Sequence, residues 1–323
     1  MRKYLFLNTI LSCGVLTYAA ASAQDFPTRP MRLVVPFVAG GGTDLLARTV
    51  GQKLNEAWGQ PVIIDNRPGG TGAVGSVLVA QSAPDGHTLM AVTSSTHAIS
   101  PNFHRKPPYD PVKDFAPITQ VASAPEVIVT HPSLPVTSIK ELVALAKAKP
   151  GTLSYASAGT GTIGHMTGEL FKIITGTNIT HIPYKGTGNA IRDVLGNQVP
   201  IMYGGPGSVI QHIRSGRLRA LGAATRQRLP EFKDIPTLAE AGYPEIEASN
   251  WYAVLTTAGT PRRVIDKLNR EIVRIMQLPE IREMLLRQGY DATTSTPEDL
   301  ATLIRTDLAK WNKVVKATGM KIE

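Results

Sequence analysis

From about residue 31 onward, short apolar runs alternate with longer amphipathic stretches. "MRLVVPF", "PVIIDN", "TLMAVTS", "EVIVTH", "LSYASA", "ITHIPY" and "LRALGAAT" have the length and β-branched content of strands. Between them, "TDLLARTVGQKLNEAWG" places Leu45, Leu46, Val50 and Leu54 on one helical face. "SIKELVALAKAKPG" opens with Ser138 and carries Glu141 three residues later, the spacing of a capping box, and stops at Pro150-Gly151. "PRRVIDKLNREIVRIMQLPE" is a further helix with Pro261 at its start. Strand–helix alternation of this kind predicts an α/β protein with parallel sheets covered by helices on both faces. No internal repeat or low-complexity tract interrupts it.

Two long extended stretches, 116–132 and 218–232, lie about a hundred residues apart. They suit a discontinuous first lobe, 24–122 with 226–323, into which a second lobe, 123–225, is inserted. Gln120–Ala124 and Gly222–Thr225 are then the expected hinge strands. Such an arrangement leaves a cleft between the lobes, a preferred place for small ligands.

The N-terminus changes the picture of where this fold works. Arg2 and Lys3 precede a mostly apolar run from Tyr4 to Leu16, and Ala21-Ser22-Ala23 offers a cleavage site. This is the layout of a secretory signal peptide over residues 1–23, cleaved after Ala23, and it predicts export to the periplasm. The apolar run is too short for a membrane anchor. Cys13, the sole cysteine, falls within the leader, so disulfides, thiol nucleophiles and cysteine-ligated metals are not expected. Removing two basic leader residues lowers the formal charge from +9 to +7. That suits an anionic ligand, while the scattered basic residues do not form the runs that favour nucleic acid.

Candidate chemistry centres on glycine. "PFVAGGGTDLLAR" and "YASAGTGTIGHMTG" each join a strand to a helix through a glycine-rich loop. Gly70–Gly75 and Gly159–Gly164 also match G-x-G-x-x-G. The first lies beyond Arg67-Pro68, and the strand after the second leads to Lys185 where a dinucleotide site needs an acid, so no nicotinamide cofactor is expected. There is no nucleophile elbow and no nucleotide P-loop. His87, His97, His104, His131, His165, His181 and His212 show no metal-ligand spacing. His165, on a helix after a glycine loop, keeps open the alternative of a secreted α/β enzyme. The remaining reading is binding: the first turn of a helix exposes backbone N–H groups and a positive dipole end to an anion. On that reading a branched side chain at Gly42 would block the approach to main chain.

Six separated stretches, "RPMRLVVPFVAGGGTDLLAR", "NRPGGTGAVGS", "APDGHTLM", "YASAGTGTIGHMTGELFK", "IPYKGTGNAIRDVLGNQV" and "IPTLAEAGYPE…WYAVLTTAGTP", follow one another over nearly the whole chain. In sequence and spacing they resemble the Bug family of periplasmic solute-binding proteins, which serve tripartite tricarboxylate transporters. The resemblance implies a type II periplasmic-binding-protein fold, a small carboxylate ligand, transient contact with membrane transporter subunits, a monomer and no catalysis. An orphan component that presents the solute to a signalling receptor would share the same fold and site. The resemblance also implies the site residues. Gly41, Gly42 and Thr43 supply N–H groups, with Phe37 lining the cleft and Asp44 shaping the loop. Ser94, Ser95 and Thr96 form a third wall. Ser157, Gly159, Thr160, Gly161 and Thr162 surround the carboxylate, followed by His165. "MYGGPG" at 202–207 lacks the polar group that many members carry there, which counts against an amino-acid ligand. Tyr184, Tyr203 and Trp251 then either flatten the pocket or fill the core, and Lys185 is a counter-charge for a second carboxylate.

Overall fold

The computed structural model describes residues 26–229 and 233–320; the leader and its cleavage site lie outside these. Ten strands form two five-stranded sheets. The first contains β1 (Met31–Val35), β2 (Val62–Asn66), β3 (Thr88–Thr93), β4 (Phe115–Pro125) and β10 (Ser249–Thr257), in the order β2-β1-β3-β10-β4. The second contains β5 (Val127–Thr130), β6 (Leu153–Ser157), β7 (Ile179–Pro183), β8 (Ile201–Gly204) and β9 (Arg219–Ala223), in the order β7-β6-β8-β5-β9.

The sheets are not purely parallel, as the alternation suggested. β1 runs parallel to β2 and β3, and β6 runs parallel to β7 and β8. β10 and β5 are antiparallel to both of their neighbours. The reason is topological: these are the strands by which the chain arrives from the other lobe. Each starts at the crossing and must run away from it, whereas β1, β3, β6 and β8 run toward it.

The crossing is narrower than the expected hinge strands. Gln120–Ala124 are paired with β10 inside the first sheet, so the passage is confined to Pro125–Val127 and to the segments at Ala224 and Ala248. Glu126 N donates to Ala248 O at 3.0 Å, Ala224 N to Glu126 O at 2.8 Å, and Ala248 N to Ala224 O at 2.9 Å.

The helices follow the sequence pattern. In α1 (Gly42–Trp58), Leu46, Val50 and Leu54 are buried against the sheet. α3 (Ile139–Ala148) is capped by Ser138, whose hydroxyl accepts from Glu141 N at 3.2 Å, while the Glu141 carboxylate reaches back to Thr137 N at 2.6 Å. α4 (Ile163–Thr175), α5 (Thr187–Leu195) and α6 (Pro206–Arg214) belong to the second lobe, α2 (Ala73–Ala80), α7 (Arg262–Met276) and α8 (Pro279–Arg287) to the first. The long α9 (Pro297–Thr318) buries Trp311 in a core shared by both lobes, which holds Met90 and Leu255 from one sheet and Tyr155 and Ile201 from the other.

The lobes also meet beside the crossing, main chain against main chain. A Cβ on Gly207 would come within 2.6 Å of Gln288 O, and one on Gly289 within 2.5 Å of Pro206 Cβ. Gly289 has φ +79, so alanine there carries both backbone strain and an interlobe clash; Gly176, at φ +66 with open space around it, carries strain alone. Gly289→Ala is therefore expected to lower stability by about 1–3 kcal/mol, visibly more than Gly176→Ala. Thermal unfolding of the two variants side by side checks this; equal midpoints would mean that the lobes do not press together at Gly289.

Candidate functional site

The β1–α1 loop is organised by Asp44. Its carboxylate accepts from Gly40 N at 2.9 Å, Arg48 Nε at 2.9 Å and Asn66 Nδ2 at 3.0 Å, and the same Asn66 nitrogen holds Phe37 O at 3.1 Å. Burial alone would raise the Asp44 pKa, but the bonds from Arg48, Gly40 and Asn66 outweigh it and hold the carboxyl below its ordinary range. Asp44 thus faces inward as the anchor of the loop. The bonds leave the first-turn N–H groups of Gly42 and Thr43 without a protein acceptor among the described residues. Phe37 is half-buried beside them. Gly41 is open on its Cβ side, whereas a Cβ on Gly42 would overlap the Tyr290 hydroxyl. A substitution at Gly42 therefore disturbs the packing of Tyr290 as well as the approach to main chain.

At the end of β3, Ser94 Oγ donates to Asn250 Oδ1 at 2.8 Å, and Asn250 Nδ2 donates to Tyr252 Oη at 2.8 Å. The Tyr252 and Tyr290 rings meet edge to face with centroids 5.5 Å apart. Ser95 Oγ accepts from Ile163 N at 3.3 Å, a bond from the first turn of α4 in the other lobe. Thr96 is excluded from the wall. Its hydroxyl bonds both Thr93 O and Thr93 N within its own turn, and the residue is fully buried.

In the second lobe a stacked histidine pair supports the β6–α4 loop. The rings of His165 and His181 lie 3.9 Å apart at 17°. His181 Nε2 is 2.7 Å from Ser157 Oγ, which also accepts from Gly159 N at 3.2 Å, and His165 Nδ1 accepts from Gly161 N at 3.1 Å. Thr162 Oγ1 donates to Gly159 O at 2.7 Å. Burial lowers His165 to about 4 and His181 to about 3, so both are neutral at physiological pH. The N–H groups of Gly159 and Gly161 are consequently spent inside the loop, and Ser157, Thr162 and His165 hold its shape. That corrects the expectation that this set faces the ligand, and it removes His165 as a free catalytic base. Thr160 remains exposed at the tip. The first-turn N–H groups of Gly164 and His165 have no protein acceptor among the described residues.

The aromatic residues divide. Tyr203 is 2% exposed, with its ring 5.0 Å from Tyr155 and 6.0 Å from Phe171. Trp251 is buried, and its Nε1 donates to Asp307 on α9 at 2.7 Å. Both are core residues, so a pocket flattened by them is ruled out. Tyr184 is half-buried and tied to Asp193 at 2.7 Å; Lys185 is exposed. Tyr252 and Tyr290, unnoticed in the sequence, are the aromatics at the crossing.

These elements converge through a chain of contacts. Tyr290 lies against Gly42 at the start of α1 and against Gly207 at the start of α6. The Glu126 carboxyl lies between Gly164, at the start of α4, and Gly205, which caps α6. Ser95 joins β3 to α4. Three helix N-termini from two lobes therefore gather around Tyr290 and Glu126, and helix starts of this kind attract anions. Among the described residues no cluster of His, Cys, Asp or Glu is built to hold a metal, and no helix is long and apolar enough to cross a membrane.

Two α/β lobes around an anion-directed cleft define a solute-binding protein of the periplasmic type. Residues 46–320 match the tripartite tricarboxylate transporter family receptor, and the chain belongs to that family. It is 39% identical over 306 residues to Protein BugT of Bordetella pertussis, covering 94% of both chains. Among solved structures, R. palustris Rpa4515 with adipate is 35% identical with a TM-score of 0.85, over 92% of this chain and 99% of that one. MatC from Rhodopseudomonas palustris, with bound malate, is 30% identical with a TM-score of 0.81, over 90% of this chain and 100% of that one.

The anchoring role of Asp44 has a pH signature. Its folded-state pKa is depressed below 3.8, so its stabilisation is present above that value and is lost as pH falls through the lower folded value. The stability gap between the protein and Asp44→Asn should be full at neutral pH and shrink in acid. Urea unfolding at both pH values measures it; a gap that does not change would show that the Asp44 charge contributes nothing to the loop.

Proposed function

We propose that this chain binds a small carboxylate in the cleft and hands it unchanged to membrane subunits of a tripartite tricarboxylate transporter. The observation that carries this is that first-turn N–H groups of α1 and α4, one helix from each lobe, have no protein acceptor among the described residues. Each hydrogen bond from such a group to a charged oxygen contributes about 1.5–3 kcal/mol, enough in combination to hold an acid without any cationic side chain. Gly41, Gly42 and Thr43 grip the anion from the first lobe. Thr160 and the Gly164 and His165 amides grip it from the second, with Ser95 and Phe37 along the wall; Ser94, fully buried and bonded to Asn250, stands behind it. Tyr184 flanks this space, and Lys185 offers a charge for a second carboxylate. The dicarboxylates seen in Rpa4515 and MatC support the ligand class. The leader directs export and is removed after Ala23. The lobes 24–122 with 226–323, and 123–225, close about the crossing at Glu126, Ala224 and Ala248.

The enzyme alternative loses its base, because His165 Nδ1 is occupied by Gly161 N and the ring is stacked and neutral.

Calorimetric titration of residues 24–323 with adipate, malate, citrate, benzoate and glutamate tests the reading. At least one acid should bind and be recovered unchanged, and saturating it at 100 times Kd should stabilise the fold by about 2.7 kcal/mol. Gly41→Val should abolish that binding with an unaltered circular dichroism spectrum, because its Cβ meets open space where the anion would sit. Retained affinity in this variant, or turnover of the acid, would overturn the assignment.

A further inference from the structure

Glu126 belongs to the crossing by its main chain, and its side chain reaches the starts of α4 and α6. Its N–H and C=O are bonded to Ala248 and Ala224, so its backbone is pinned where the lobes join. Its carboxyl oxygens lie 3.5 Å and 3.9 Å from where Cβ atoms on Gly164 and Gly205 would stand. The residue is 97% buried, being 3% exposed, yet among the described residues no side chain or amide bonds its carboxyl group and no cation pairs with it. Among the described residues six buried polar side-chain atoms are sealed without a partner, and the Glu126 oxygens are not among them, so they still reach accessible space.

The surroundings decide the protonation state. On the first lobe's side stand Tyr252 and Tyr290, both pushed above the ordinary phenol range by burial and by Glu126 itself, and hence neutral. On the second lobe's side, Gly164 and Gly205 present no side chain. Further along α4, His165 is neutral and Glu169 is neutralised by Lys172 at 2.9 Å. Beyond the crossing, Arg226 and Glu247 pair with each other at the surface. Among the described residues nothing cationic faces Glu126, and burial raises its pKa to about 8. At neutral pH the group is therefore chiefly a carboxylic acid, a donor with no acceptor in the protein.

A neutral acid aimed between the starts of α4 and α6 completes the donor set that those helices begin. We propose that Glu126 is a ligand-contacting residue of the cleft floor, donating its carboxyl O–H to a carboxylate oxygen of the bound solute. This rests on the carboxylate reading and deepens it. Apart from the exposed Lys185, every other donor proposed for the cleft is main chain or hydroxyl and does not titrate near neutral pH. Glu126 alone makes binding depend on proton concentration, since its ionised form would repel the anion that its acid form holds. An acid at this position also excludes solutes whose apolar end is turned to the floor, because the O–H would then be left unpaired.

The test uses the mature chain and adipate, or whichever acid of the panel binds best, by calorimetry from about pH 6 to about pH 9.5, where simple carboxylates stay ionised. Wild-type affinity should be level below about pH 8 and weaken by up to about tenfold per unit above it. Glu126→Gln, which donates a hydrogen bond at every pH, should bind within about threefold at pH 6 and show a level profile throughout. A measurement on the unmodified protein stands beside it: titration in buffers of different ionisation enthalpy should show proton uptake on binding near and above pH 8. A pH-independent wild-type affinity with no proton uptake, or the same slope in wild type and Glu126→Gln, overturns the role of Glu126 and leaves the carboxylate reading intact. Failure of wild type to bind any acid of the panel overturns both.

Discussion

The site depends on three main-chain hydrogen bonds, which tie Glu126, Ala224 and Ala248 together where the chain passes between lobes. A strand that starts at this knot must run away from it, which makes β5 and β10 antiparallel to their neighbours. The strands between them then run toward the knot and end there. Of these, β1, β6 and β8 hand over to α1, α4 and α6, whose first turns lie where the lobes meet. Parallel sheets place ligand sites at the carboxyl ends of their strands, and here two such ends face each other across a few residues of shared backbone. The cleft and its polarity are consequences of strand direction before any side chain is considered.

Side chains in this cleft mainly keep one another out of the way. Asp44, which would repel an anion, is consumed by Gly40, Arg48 and Asn66. His165 and His181, which would attract one if charged, are kept neutral by burial and by stacking on each other. What remains is the field of oriented peptide dipoles, fixed in place and unscreened by counter-ions. Such a field recognises an oxyanion and is indifferent to the carbon skeleton behind it. That fits a family whose solved relatives hold acids as different as adipate and malate. Selectivity then has to come from the few groups that are neither main chain nor fully satisfied, and the proposed roles of Glu126 and Lys185 are of that kind.

The alternation of elements, the two-lobed α/β class and the helix-opening glycine loops were legible in the sequence because each has a local signature. Periodicity marks α1 and α7, the Ser138 cap marks α3, and glycine runs mark the turns. Strand direction was not legible, since β5 and β10 look like any other apolar run and their reversal arises from where the chain re-enters a sheet. Nor were the aromatic roles. Tyr203 and Trp251 sit in strands that alternate faces, and only the paired register shows that they point into the core. Tyr252 and Tyr290, separated by thirty-eight positions, meet through folding alone. Glu126 left no signal at all: a lone acid before an apolar strand reads as the polar edge of a loop.

The glycines require the largest revision, because the loops seem at first to use them all for one purpose. Gly40 is needed for a left-handed turn at φ +88, and Gly41 leaves the approach to main chain open. Gly42, Gly164, Gly207 and Gly289 are instead places where another part of the protein occupies the Cβ position: Tyr290, the Tyr203 carbonyl, the Gln288 carbonyl and Pro206. Most of the missing side chains therefore admit protein, and fewer admit ligand. Three of these four positions, Gly42, Gly207 and Gly289, lie around Tyr290, where the two lobes touch beside the knot. Close packing there holds the starts of α1 and α6 together beside the knot about which the proposed closure turns, so the groups nearest it need little further ordering when an anion enters.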